Sequence, residues 1–299
     1  MGGMTRYFDM SRKIIASTTT DSCRSIPHSS IVYEADVTGL MEAVRSFNDG
    51  RSKEDRISIN SAILRIIIEG IKASPGLNGH VSYSHGLVRG RVTLMDRIDI
   101  STPIAYGDGQ MMTVTMPHME NRSMRGIQTM MNGYRKRVDE TDMEAVMYLT
   151  GLSDTIEGLR HGRVLRAAGR LIGAWTGKGR IRISAGRLRE SIRKGKEGTG
   201  LTPDDIKQGS ITVSSLGPLY RNWKGHCAML QVVPPQICAI AVGALQKRPV
   251  FEDDRIVTKE VIPVTIAFDH RAADFSTIVP LMERMDEVLA DDEQIKALV

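Results

Sequence analysis

The decapeptide Ile266–Phe275, IAFDHRAADF, closes a β-prone run on His270, with Asp269 and Arg271 on either side and Asp274 four positions further on. A strand end holds an imidazole rigidly. Asp274, where a helix starts, can cap that helix while its carboxylate orients Arg271 or another cation. A neutral histidine so placed takes a proton from a thiol, hydroxyl or amine near physiological pH, which is the work of a general base. The same residues equally fit a structural histidine followed by a helix cap.

A second candidate is ITVSSLG, Ile211–Gly217, in which a strand delivers Ser214 and Ser215 to a turn ended by Gly217. A hydroxyl there can donate to the oxyanion of a tetrahedral intermediate, and one preplaced donor is worth about 3 kcal/mol of barrier. A serine pair before a glycine is also an ordinary turn sequence. His226 beside Cys227 suggests a thiol nucleophile, but neighbours on an extended chain point to opposite faces, which argues against the pair. His28, His80, His85, His118 and His161 show no metal-ligand spacing with cysteine or carboxylate partners, so no metal is expected. GAWTGKGR lacks the spacing of a phosphate-binding loop, and no GxGxxG opens a helix after a strand.

The elements that must position these residues are legible as periodic runs. Arg12–Ser22 fits a short helix, Ile26–Thr38 a strand, and a helix follows it. The apolar stretch Ile59–Ile71 is too long for one strand and is closed by Pro75 and Gly76, which predicts a buried helix. Between Ser82 and Met116, short β-prone runs alternate with turn formers at Gly86, Gly90 and Tyr106–Gly109, which predicts antiparallel strands. A helix is expected over Ser123–Val138, strands at Ile211–Ser214, Ile237–Val242 and Val261–Phe268, and a last helix over Phe275–Ala290 with Pro280 inside as a place to kink. This mixture lacks regular βαβ alternation, so the expected class is α+β, one domain spanning residues 1–299.

Within that domain, residues 139–200 form a basic inserted segment. From Arg160 to Lys196 there are twelve Lys or Arg against the single acid Glu190. The stretch LRHGRVLRAAGRLIGAW interleaves apolar and basic residues as an interfacial amphipathic helix does, and it also fits a solvated or subunit-packing helix pair. For the whole chain, 41% apolar and 25% charged residues sit near globular averages and exclude a disordered or fibrous design. The net charge of +5 favours anionic partners: nucleotides, coenzyme A phosphates, nucleic acid or acidic lipid head groups. Nucleic acid is disfavoured because no reading motif accompanies the charge. Cys23, Cys227 and Cys238 are an odd set without CxxC spacing and are expected as free thiols in a reducing compartment. With no long apolar run and no signal-like start, the expected location is the cytoplasm, peripheral to a membrane if the basic segment binds one.

Taken together, ITVSSLG, VVPPQICAIAVG and FDHRAAD resemble three blocks of the catalytic domain of dihydrolipoamide acyltransferases, the E2 components of 2-oxoacid dehydrogenase complexes. Order and approximate spacing agree. RKIIASTTTDS, IPHSSIVYEADVT, ASPGLN and LTPDDIKQGS extend the resemblance over nearly everything except the basic insertion. It implies a chloramphenicol acetyltransferase-like α+β fold, a mixed sheet flanked by helices, assembled as a homotrimer with active sites between subunits. It also implies roles: His270 as general base, Ser214 as oxyanion donor with Ser215 beside it, and Asp274 fixing a salt-bridge network supported by Arg271 and by Arg12, which matches an N-terminal family arginine. Coenzyme A or acyl-CoA is the implied substrate, with no metal.

The expected function is a coenzyme A-dependent acyltransferase acting on a thiol, hydroxyl or amine acceptor. The alternatives are a lipoyl-dependent transferase core served in trans, and a catalytically silent trimeric scaffold. No Asp-Lys-Ala lipoylation motif is present, so an acyl or lipoyl carrier protein is an expected partner, unless the chain is part of a longer one. Phe275 stands where the family signature has glycine, and either narrows the thiol channel or packs on the core.

Overall fold

The structure, a computed structural model, describes residues 5, 7–107, 109–160 and 182–299, with 154–160 described by backbone alone. In chain order the elements are α1 (Met10–Ser25), β1 (His28–Asp36), α2 (Thr38–Asn48), α3 (Ile59–Ala73), β2 (Gly79–Ser84), β3 (Arg89–Leu94), β4 (Ile100–Tyr106), β5 (Gln110–Met116), α4 (Met124–Asp139), α5 (Met143–Arg160), α6 (Ala185–Lys196), β6 (Ile211–Ser215), β7 (Cys238–Val242), β8 (Gln246–Glu252), β9 (Arg255–Asp269), α7 (Phe275–Leu289) and α8 (Asp292–Ala297). They group into two compact units. One takes the described parts of Met1–Thr20, Ile104–Val114 and Gly133–Lys207, the other Asp21–Pro103, Thr115–Asn132 and Gln208–Val299.

The main sheet has the order β1-β9-β7-β6-β4-β5, with β8 also on β9. β9 is antiparallel to β1 and β7, whereas β6 runs parallel to both β7 and β4. This is the mixed sheet of an α+β protein, as expected. Its centre is the most apolar part of the chain: all five residues of β7 and the nine from Val261 to Asp269 are buried. Strands covered on both faces read as continuous apolar runs, so their alternation is lost.

Helix α3 forms because Ser58 accepts a hydrogen bond from the Ser61 N–H at its start, and Pro75 denies a further turn at its end. It packs on α7 through Gly70. A Cβ there would lie 2.9 Å from both Cγ and the carbonyl oxygen of Leu281, so the two helices approach as closely as glycine allows. Helix α7 continues through Pro280 to Leu289.

Two expectations need correction. Gly90 is no turn residue but pairs with Tyr83 inside the β2–β3 hairpin, whose turn instead carries Val88 at φ 47°. The last strand also extends well before Val261 and pairs with β8, a strand not anticipated. Lys247, Arg248, Pro249 and two adjacent aspartates disguise this hairpin as a charged loop. Asp253 and Asp254, at φ 46° and 58°, make the left-handed two-residue turn that a twisted hairpin requires. Of the predicted turn at Tyr106–Gly109, Asp108 lies outside the described residues, as does most of the proposed interfacial helix at 159–175.

In the unit that holds α5 and α6, the basic segment is partly neutralised where it is described. Arg187 pairs with Asp142 and Glu144, Arg193 with Glu190 and Glu197, and Lys194 with Glu140. These surface pairs are screened by solvent and add little to stability. A better-protected pair joins Arg137 to Asp205 at 2.6 Å, and the same carboxylate accepts from the backbone N–H and hydroxyl of Thr202 at 2.7 Å each. Burial works to raise the Asp205 pKa, but the hydrogen bonds from Arg137 and Thr202 outweigh it and hold the carboxyl below the usual range. Burial and the neighbouring Asp205 push the Tyr134 hydroxyl up to about 12.

A depressed native pKa stabilises the fold above the unfolded value, and that contribution is lost as pH falls through the native one. Asp205→Asn should therefore lower stability at neutral pH by about 2 kcal/mol. Thermal unfolding from pH 7 down to below about pH 4 should show the gap between wild type and variant closing; a gap constant with pH would contradict the assignment.

Candidate active site

The strand β9 ends at Asp269, whose backbone N–H donates to the Ile237 carbonyl at 2.8 Å. The next N–H, of His270, donates to the Pro27 carbonyl at 3.0 Å, and the N–H groups of Ala272 and Ala273 fold back to the Asp269 carbonyl. Asp269 has no exposed surface. Its carboxylate accepts from the Arg271 backbone N–H at 3.0 Å, from Nε at 2.9 Å and from Nη2 at 2.5 Å. A buried carboxylate has to be neutralised by a geometrically good partner, and the nearest cation is two residues along the same turn. That hydrogen bonding in turn holds the Arg271 pKa above its usual value. The guanidinium carbon also lies 5.3 Å from the centre of the Tyr83 ring, within cation–π range.

Of the two partners expected for Asp274, Arg271 or another cation, Arg271 is taken by the buried Asp269, and Asp274 lies beside His270 instead. Asp274 occupies the N-cap of α7 in extended conformation, and its N–H donates to Thr277 Oγ1 at 3.2 Å. Its carboxylate Oδ1 lies 3.2 Å from His270 Nδ1. Nε2 of the same ring has no hydrogen-bond partner among the described residues. The imidazole is 42% exposed, open to a substrate.

Phe275, 49% exposed, packs edge-on against the buried Phe268 at 5.3 Å and stands 6.1 Å from the His270 ring. The ring therefore packs on the core through Phe268 while staying half exposed beside the imidazole.

Ser214 and Ser215 end β6. Ser215 Oγ donates to Asn60 Oδ1 at 2.7 Å, at the start of α3, while the Ser214 hydroxyl has no hydrogen bond among the described residues. Successive strand residues face opposite sides, so Asn60 serves Ser215 and leaves Ser214 available.

Ser214 and His270 of one chain do not meet. Ser214 pairs with Ala241 and Ala241 with Thr265, four residues before the strand end at Asp269. At about 3.3 Å per residue along the strand and about 4.8 Å between strands, Ser214 and Asp269 are roughly 16 Å apart. Arg12 belongs to the other unit, where its backbone N–H donates to Asp9 Oδ1 at 2.7 Å. Local spacing gave no sign of the contributions of Tyr83 and Asn60, which are set by tertiary contact. The Cys227 thiol donates to the Met229 carbonyl, and burial pushes the Cys238 thiol well up, away from thiolate chemistry.

Comparison with known proteins identifies the family. The model of the 2-oxoacid dehydrogenases acyltransferase catalytic domain matches residues 5–151 and 177–297, and leaves out only the middle of the basic insertion and the chain ends. The dihydrolipoyllysine-residue acetyltransferase component of the pyruvate dehydrogenase complex of Rickettsia felis is 24% identical over 265 residues, 88% of this chain and 48% of that protein. The chain thus spans about half the length of the curated relatives it matches. Among solved structures, Azotobacter vinelandii dihydrolipoamide acetyltransferase superposes with a TM-score of 0.65 at 15% identity, covering 98% of this chain and 94% of that one. In that enzyme the catalytic roles of a serine, a histidine and an asparagine four residues after the histidine have been investigated. The cubic core of the pyruvate dehydrogenase multienzyme complex gives 0.64 at 14% identity, covering 98% and 94%. By sequence and by fold, the chain belongs to the 2-oxoacid dehydrogenase acyltransferase family, whose catalytic domain it carries.

Proposed function

We infer that the protein transfers an acyl group between coenzyme A and the thiol of a dihydrolipoyl arm, with His270 as the base. The family membership favours this over a general thiol, hydroxyl or amine acceptor. The observation that carries it is the His270–Asp274 pair at a strand end, with Nδ1 3.2 Å from the carboxylate and Nε2 open. No Asp-Lys-Ala lipoylation motif occurs in these 299 residues, so the arm is carried elsewhere.

His270 Nε2 takes the proton of the coenzyme A thiol, and the sulfur attacks the thioester carbon of the acylated arm. The carbonyl oxygen becomes an oxyanion, which accepts from a serine hydroxyl. Collapse breaks the bond to the lipoyl sulfur, which recovers the proton from the imidazolium, and acyl-CoA departs. Base and oxyanion donor must both lie about 3 Å from their respective reacting atoms. Since Ser214 of the same chain is too far away, the donor is Ser214 of a second copy, in keeping with a homotrimeric assembly. Arg12 is assigned a supporting role in that assembled site.

Coenzyme A release from acetyl-CoA and longer acyl-CoAs in the presence of dihydrolipoamide tests the activity. His270→Ala should lose about 10³-fold in kcat and Ser214→Ala about 10²-fold. A wild type that neither turns over nor binds coenzyme A would make the protein a silent scaffold and end the transferase assignment.

Co-assembling His270→Ala with Ser214→Ala chains checks the division of the site. If the two residues come from different copies, roughly a quarter of the interfaces regain an intact pair and activity returns; if one chain supplies both, mixing restores nothing.

A further inference from the structure

The connection from β6 to β7, residues 216–237, has no regular secondary structure beyond turns, yet it is fastened along the sheet at successive points. Gly225 exchanges two hydrogen bonds with the Gln246 side chain, at 3.2 and 2.7 Å. The Cys227 carbonyl accepts from Thr265 Oγ1 at 2.6 Å, and Leu230 packs on a cluster of Ile26, Val232, Ala239 and Ala267. The loop thereby travels from the end of the sheet that holds Ser214 to the end that holds His270.

One fastening on the way uses side chains as the partners of the loop backbone. Val232 is completely buried, and both of its backbone groups are satisfied by residues more than two hundred positions earlier. Its N–H donates to His28 Nε2 at 3.0 Å, and its carbonyl accepts from Ser22 Oγ at 2.7 Å. Ser22 has no exposed surface and also stands 3.2 Å from His28 Nε2. A backbone N–H only donates, so Nε2 is the unprotonated nitrogen of His28 and Nδ1 bears the proton. The single hydroxyl proton of Ser22 is committed to the Val232 carbonyl.

This imidazole is one residue from the catalytic turn. His28 opens β1 directly opposite Asp269, and the preceding carbonyl, of Pro27, is the one that receives the His270 N–H at 3.0 Å. Whatever fixes the backbone at residues 27 and 28 also fixes the peptide from which His270 hangs. We propose that His28 is a positioning residue for His270: as a neutral acceptor for the Val232 N–H, with Ser22 completing the clamp, it locks the start of β1 between the 216–237 loop and the catalytic turn. The assignment of His270 as base is the one made above. His28 touches no reacting atom and acts through the Pro27 carbonyl.

Two substitutions separate acceptor from bulk. His28→Gln keeps an acceptor at about the reach of Nε2, while His28→Phe keeps a ring and removes it. In the Phe variant, kcat should fall about 10²-fold, the cost of a displacement near 1 Å, with KM for coenzyme A within about twofold. The Gln variant should recover most of the loss.

Amide hydrogen exchange reads the placement without reference to turnover. The Val232 and His270 amides should be protected in wild type and His28→Gln, and exchange at least about tenfold faster in His28→Phe. Unchanged His270 exchange in His28→Phe, or a Gln variant as impaired as Phe, overturns the proposal. A wild type inactive in acyl transfer whose His270 amide still responds to His28→Phe supports the clamp and refutes the transferase assignment instead.

Discussion

Asp269 sits with no exposed surface at the end of the most deeply buried strand, and the turn that carries His270 is organised around neutralising it. An ionised carboxylate cannot be left unpaired in such a place; removing a partner from a buried pair costs about 3–5 kcal/mol. The cheapest source of cation and N–H donors is the turn that follows, so Arg271 folds back and two later N–H groups close on the Asp269 carbonyl. The residue between is thereby forced outward. His270 projects because its neighbours are tied down, and its exposure follows from the burial of Asp269. Arg271, stacked against Tyr83, also couples the turn to the β2–β3 hairpin.

The polarity of the sheet then decides what one chain can do alone. β6 and β7 run together and β9 runs against them, so the C-terminal end of β6, with Ser214, and that of β9, with His270, point to opposite ends of the sheet. No side-chain rotation closes a gap of roughly 16 Å set by strand rise and spacing. A chemistry that needs both groups on one carbonyl therefore calls for a second copy. Among the described residues, neither Nε2 of His270 nor the hydroxyl of Ser214 has a hydrogen-bond partner.

Around these fixed points the chain departs from the family's pattern at two places. Phe275 replaces a hydrogen with a ring that is half on the core and half beside the imidazole. The family model does not extend through the middle of the basic insertion, and the described cations Arg187, Arg193 and Lys194 spend much of their charge on local acids.

The amino-acid sequence by itself determined the α+β class, most of the element types, the buried α3 and the two blocks that carry His270 and Ser214; the mixed sheet was implied by the family resemblance those blocks carry. Periodicity, Pro75 and the unbroken apolar runs of β7 and β9 are local signals that fold class and strand ends obey. Only the tertiary structure decided the partners. Arg271 belongs to Asp269 and not Asp274 because burial, which spacing does not report, sets which carboxylate must be paired first. The hairpin of β8 and β9 was hidden by charged residues that remain exposed at a projecting arm, where patterning is weak. Ser22 and His28 reach Val232, and Asn60 reaches Ser215, across separations of more than a hundred and fifty residues. Long-range contacts of that kind are fixed by how the layers stack, and a linear pattern has no term for them.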